Sequence, residues 1–161
     1  MSESRVCPHI VTMTEAHSLF ETALRISAVA DSEEERQTAA GLMKQAADLG
    51  HGRAAGDYGN MLMAGRGVFH DAGLAYRYWS LGALEYGEAE CAFKLGLACR
   101  DGGDFAPDLA GALAWFMLAR DLGMDLAALD VDAIAYEINE DLRAEAFRRY
   151  DRLRSNCTIL R

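Results

Sequence analysis

Apolar residues recur at helical spacing along most of this chain, and no stretch alternates with a period of two over a useful length. The pattern predicts helices only. Residues 1–12 show no periodicity, and Pro8 is expected to break any early helix. Thr14 can cap a first helix to about Ala30, with Leu19, Phe20, Ala23, Leu24 and Ile26 on one face. Ser32 and Glu35 form a capping box that opens a second helix carrying Ala39, Leu42, Met43, Ala46 and Ala47, with Gly50 at its end. A third helix is predicted over 52–64 and closes at Gly65. Asp71 caps a fourth over 72–86, and a fifth covers 88–100. Asp108 caps a sixth over 109–122, Asp125 starts a short helix to about Glu137, and Asn139 caps a last one from Glu140 to about Arg154.

The helices repeat. Adding 37 to Gly50, Ala54, Tyr58, Gly59, Leu62 and Gly65 gives Gly87, Cys91, Leu95, Gly96, Cys99 and Gly102. Five of these pairs match in size or chemistry, and Leu62/Cys99 is the loose one. A fixed period of this length marks an array in which each repeat buries its apolar face on its neighbours. Gly59 and Gly96 are expected to let the two helices of a repeat approach, with Ala46, Ala83 and Ala119 as small residues on the facing helix. Tyr78, Trp79, Trp115 and Phe116 are expected to fill the space between repeats. One residue spoils perfect alignment: Tyr78 to Gly87 spans 9 positions and Trp115 to Gly123 spans 8. A wide turn or bulge is therefore expected near Gly82–Gly87.

Ala54, Tyr58-Gly59, Leu62, Gly65-Arg66-Gly67-Val68, Asp71, Ala75, Tyr78, Ala83 and Gly87 together resemble the Sel1-like repeat, an α/α solenoid related to tetratricopeptide repeats. The next copy keeps Leu95-Gly96, Gly102, Asp108, Ala112, Trp115, Ala119 and Gly123, but Phe105 and Pro107 replace its glycine-valine loop. The resemblance covers about 39–131 and implies antiparallel helix pairs in about three repeats. Residues 1–12 would be an irregular N-terminus and 14–50 a degenerate first repeat. The second repeat is 51–87 and the third 88–123, leaving a truncated repeat with a C-terminal capping helix at 124–161.

Composition narrows the function. The 161 residues are 51% hydrophobic, which suits one domain with a real core, and no apolar run approaches a membrane span. The first 20 residues hold Arg5, Pro8 and two histidines and read as no signal peptide, so the cytoplasm is expected; a leader already removed would make it the periplasm. The net charge of −9 disfavours nucleic acid. The charge is lopsided: residues 101–141 hold ten acids against Arg120 alone. Residues 142–161 hold six arginines (143, 148, 149, 152, 154 and 161) against Glu145 and Asp151. Either a solvated acidic face or a docking surface for a basic partner fits this pattern.

No chemistry is legible. Cys7, Cys91, Cys99 and Cys157 form no metal-binding spacing. Cys91 and Cys99 stand about 12 Å apart on one helix, too far for a disulfide. Both read as small core residues. His9, His17, His51 and His70 stand alone and read as exposed and uninvolved. Gly65-Arg66-Gly67-Val68 follows a helix where a phosphate loop needs a strand. Asp101, Asp104 and Asp108 lack the spacing of a calcium loop. No cofactor or metal is expected. Some cysteine-rich proteins of the resembled family are discussed as β-lactam-binding or -hydrolysing. They carry regularly placed cysteines and are exported, and this chain shows neither feature.

The resemblance implies a non-enzymatic module that binds a peptide, helix or protein on the concave face lined by the first helix of each repeat. The non-core positions there are Arg53, Asp57, Asn60 and Met61, then Glu90, Lys94, Leu97, Ala98 and Arg100. Three partner readings stay open. One is a scaffold or adaptor in bacterial signalling or envelope assembly. Another is a neutralising, immunity-like binder of a basic toxin or effector. The third is a homodimer through the arginine-rich end helix.

Overall fold

The computed structural model describes residues 8–161, with side chains from Thr12 onward. Cys7 and the His9 side chain lie outside the described residues. Eight α-helices follow in order, and no strand occurs among the described residues: α1 (Pro8–Val29), α2 (Glu33–Asp48), α3 (Gly52–Ala64), α4 (Ala72–Glu85), α5 (Ala89–Asp101), α6 (Leu109–Asp121), α7 (Ala127–Glu137) and α8 (Glu140–Asn156). The expected start of α1 at Thr14 is corrected. Pro8 begins the helix and does not break it, because the first turn has no intrahelical acceptor for its N–H groups and proline there forfeits nothing.

The chain forms two compact units, Met1–Ala75 and Tyr76–Arg161, divided within α4. In the first, α2 packs between α1 and α3. Phe20, Ala23, Ala39, Met43, Ala47, Ala54, Tyr58 and Leu62 are buried there. Ser32 and Glu35 form the expected capping box on α2. The glycine loop after α3 has two separate reasons for its glycines. Gly65 is the left-handed C-cap of α3 (φ 63°), and Gly67 has φ 67°. A Cβ on Gly67 would sit 2.2 Å from the carbonyl oxygen of Arg36, so the loop lies directly on the backbone of α2.

In the second unit α6 is the central helix, with α5, α7 and α8 packed on it. From Ala110 to Ala119 only Trp115 is not fully buried. Helices α5 and α6 approach closely at Gly96, where an added Cβ would lie 2.6 Å from the Phe116 ring. Cys157 is wholly buried beyond α8. The N–H of Thr158 donates to the Leu84 carbonyl at 2.7 Å, and Ile159 covers Gly87, so the last residues are held against the end of α4.

The repeat survives in the hydrogen bonds. The N–H of Asp71 donates to the Leu62 carbonyl at 3.1 Å, and the N–H of Asp108 donates to the Cys99 carbonyl at 2.7 Å. The Asp71 and Asp108 carboxylates then accept from the N–H groups of Leu74 and Gly111 as N-caps of α4 and α6. Leu62/Cys99, the weak pair by side chain, is thus equivalent by backbone.

The extra residue is also located. Helices α2, α3 and α6 close with a bond spanning five residues: His51 to Ala46, Arg66 to Met61 and Met124 to Ala119. At α4 the N–H of Glu88 reaches back six residues to the Gly82 carbonyl at 2.9 Å. The insertion is a wider C-terminal turn, as expected. It also shows that Gly82, rather than Ala83, occupies the position of Ala46 and Ala119.

Candidate functional site

The non-core positions of α3 and α5 are placed within their own compact units. On α3, Arg53 is exposed, with its guanidinium 5.6 Å from the centre of the Phe20 ring. Asp57 and Asn60 are half-buried, and the Asn60 amide donates to the Asp57 carboxylate at 3.5 Å. Met61 is corrected: it is buried and belongs to the core.

On α5, Glu90 is exposed and pairs with Lys94 at 3.1 Å, one helical turn away. Leu97 and Ala98 are half-buried. Arg100 is already engaged. Its guanidinium donates to Asp101 at 2.7 Å and to Asp130 of α7 at 2.8 Å, which holds its pKa above the usual arginine value. It acts as a tie between α5 and α7.

At matching register the chemistry differs sharply. Arg53 stands 37 before Glu90, Asp57 before Lys94, and Asn60 before Leu97. The positions that repeat are glycines, caps and core residues; the surface positions reverse charge or polarity.

The arginine-rich end of the sequence is largely engaged inside the second unit. Arg149 donates to the capping carboxylate of Asp108 and, at 2.8 Å, to Glu145. Gly111 makes room for this pair, since a Cβ there would meet the Asp108 carboxylate. The Tyr150 hydroxyl donates to Asp121, and Arg154 lies 3.7 Å from the same carboxylate. Arg143 donates to the Ala135 and Ile138 carbonyls and so caps the C-terminus of α7. Arg148 pairs with Glu145 at 2.8 Å, and Arg161 donates to the Ser155 carbonyl. Of the six arginines only Arg152 lacks such a contact among the described residues.

The described histidines are structural rather than uninvolved. His51 is the N-cap of α3, its Nδ1 accepting from the N–H of Ala54 at 3.2 Å. Neutral His51 therefore carries its proton on Nε2, which donates to His17 Nδ1 at 3.4 Å. Its ring also stacks on Phe20 at 4.2 Å. Burial, then the neighbouring His17, holds the His51 pKa below its ordinary value of 6.5. The Nδ1–H of His70 donates to the Met63 carbonyl at 2.8 Å. Cap positions after Gly50 and beyond Gly65 were the only sequence signal for these roles.

Cys91 and Cys157 are buried, and Cys99 lies half-buried, 3.5 Å from the Tyr76 hydroxyl. Burial pushes the Cys99 thiol up, and the Tyr76 phenol well up, so neither is an activated nucleophile near neutral pH. No group of metal-ligating side chains occurs among the described residues, and no described helix is long and apolar enough to cross a membrane.

The helix pairs, glycine caps and 37-residue hydrogen-bond register define the Sel1-like repeat fold, an α/α solenoid. Two solved structures share it. A protective antigen of uropathogenic Escherichia coli displaying that fold is similar with a TM-score of 0.78 and 23% identity, over 89% of this chain and 31% of that one. A Sel1 repeat protein from Oxalobacter formigenes is similar with a TM-score of 0.65 and 24% identity, over 90% of this chain and 60% of that one. The chain thus spans about a third and three-fifths of their lengths. No family model and no curated protein matches the sequence.

Proposed function

We propose that this chain is a non-enzymatic protein–protein interaction module that binds its partner through the first-helix surfaces of its repeats. One observation carries the reading: the repeating positions are structural, whereas the surface positions at the same register carry opposed chemistry. Repetition of a binding surface would present one chemistry several times; Arg53/Glu90 and Asp57/Lys94 instead present a patterned set, suited to reading one particular partner. The contact residues are Arg53, Asp57 and Asn60 of α3 with Glu90, Lys94 and Leu97 of α5. Met61 drops out by burial and Arg100 serves the fold.

The test is affinity purification from the source organism with wild type and an Arg53→Ser, Asp57→Ser, Lys94→Ser, Leu97→Ser variant. Arg53 is exposed and the other three side chains are half-buried outside the core, so the variant is expected to fold with its melting temperature lowered by a few degrees. Partners retained by wild type and lost by the variant support the reading. Unchanged capture by a folded variant rejects it.

A further inference from the structure

Helix α7 exposes an apolar stripe. Leu126 and Leu129 are 73% and 72% exposed, Tyr136 is 93% exposed, and Ala133 is exposed between them. Their spacing of three, four and three residues places all four on one side of the helix. Ala127, Ile134 and Ile138 are buried on the opposite side. Single exposed apolar side chains are ordinary, but a contiguous apolar stripe marks an interaction surface.

The neighbouring repeat shows what such a face does. With Gly87 matched to Gly123, Leu129 takes the register of Phe93 and Asp132 that of Gly96. On α5 the Phe93–Gly96 edge of this side is covered by α6: the Phe93 ring lies 5.2 Å from that of Phe116, which also sits over Gly96. On α7 it is bare. Helix α8, next in the chain, is engaged elsewhere through Arg149 to Asp108 and Tyr150 to Asp121. Leu126 and Ala133, moreover, occupy the register of Glu90 and Leu97 on the proposed contact surface.

Charge selects the occupant. Asp125, Asp132 and Glu137 border the stripe, and Glu140 and Asp141 follow it; none of the five has an ion-pair partner among the described residues. Asp130, the sixth acid here, is paired with Arg100. A second copy of α7 would set these acids against one another. A helix with an apolar stripe and lysine or arginine borders would match both the stripe and the charge.

We infer that the outer face of α7 binds a basic amphipathic helix supplied by another protein, seated where α6 sits on α5. This deepens, and rests on, the reading of the first-helix surfaces as contact surfaces.

The experiment is a nuclear magnetic resonance titration of the full chain with two synthetic amphipathic peptides of about 18 residues, long enough for five turns. They share one leucine stripe; one is bordered by lysines, the other by glutamates. The lysine peptide is expected to move the amides of α7, with a Kd on the order of tens of micromolar. Binding should weaken as salt is raised. The glutamate peptide should bind at least about tenfold more weakly. A Leu129→Ser, Tyr136→Ser variant should lose the lysine peptide while melting as wild type does, since both side chains are exposed. Equal binding of the two peptides, or no shift on α7, overturns the inference. Concentration-dependent dimerisation abolished by the same variant also overturns it, by making a second copy the occupant. Lysine-peptide shifts confined to α3 and α5 reject the α7 site but leave the first-helix reading standing. Partner capture indifferent to both sets of substitutions rejects both.

Discussion

Gly96 and Phe116 occupy each other's space: a Cβ on Gly96 would fall 2.6 Å from Cδ1 and Cε1 of the Phe116 ring. No real Cβ tolerates that distance, and Phe116 is wholly buried, so its ring has nowhere to go. Gly96→Ala gains about 1 kcal/mol of helix propensity but incurs about 1–3 kcal/mol of overpacking, so a net loss is expected. Gly96→Leu should fail to fold. The control is Gly41 on the exposed side of α2, where nothing lies within 4 Å of an added Cβ. Gly41→Ala should stabilise by about 0.5–1 kcal/mol. Thermal melts of the two alanine variants should move in opposite directions; equal shifts would refute the assigned packing.

Gly67 and Gly103 have nearly the same backbone angle and different surroundings. Both have φ near 67°, but only Gly67 faces backbone, that of Arg36. Gly103→Ala carries just the left-handed penalty, about 1 kcal/mol. Gly67→Ala adds a backbone clash that α2 cannot relieve by changing a rotamer, and should cost clearly more. Denaturant midpoints of the two variants check this.

Asp71 and Asp108 are equivalent caps with unequal duties. Asp71→Ala should cost about 1 kcal/mol, the worth of one N-cap. Asp108→Ala loses the same cap and the partner of Arg149 on α8. Because that pair is only partly screened from water, the added cost is expected at about 0.5–1 kcal/mol and should fall with salt. A double-mutant cycle with Arg149→Met reads it directly, and additive effects would show that the pair contributes nothing.

His51 makes stability pH-dependent in a stated direction. Its folded pKa lies below 6.5, so below that pH the unfolded chain takes up a proton that the native cap refuses. The stabilisation is complete above about pH 6.5 and is lost as pH falls through the folded pKa. Protonation of Nδ1 would also forfeit the hydrogen bond from Ala54. His51→Asn keeps a capping oxygen and removes the titration. The melting temperature of wild type should therefore drop more between pH 7.5 and 5.5 than that of His51→Asn; parallel curves would disprove the linkage. Glu35 acts in a separate window, its pKa being lowered by backbone N–H groups of Ser32 and Asp31, so its contribution is lost below about pH 4.5.

Much of the fold was legible because its determinants are local. Capping residues at Ser32, Asp71, Asp108 and Asn139 and stop signals at Gly50, Gly65 and Gly123 act within one turn of their own positions. The bounds of α3 were readable to the residue. Pro8 was misjudged because proline's effect changes sign between the first turn and the interior of a helix. The contact surface was only partly legible. Met61 and Asn60 are adjacent in sequence, but one side faces the core and the other does not, and helical register alone left that choice open.

By itself the sequence determined the all-α class, the 37-residue register, the caps and the small residues at helix crossings, since these follow from backbone propensity and local side-chain size. Only the tertiary structure decided where the charges go. Arg149 finds Asp108, Arg100 finds Asp130 and Tyr150 finds Asp121 across about 30 to 40 residues of chain, pairings that electrostatics permits in many ways and packing permits in one. Among the described residues that selection leaves unpaired the acidic border of the bare apolar stripe on α7, a surface that no count of charges along the chain could isolate.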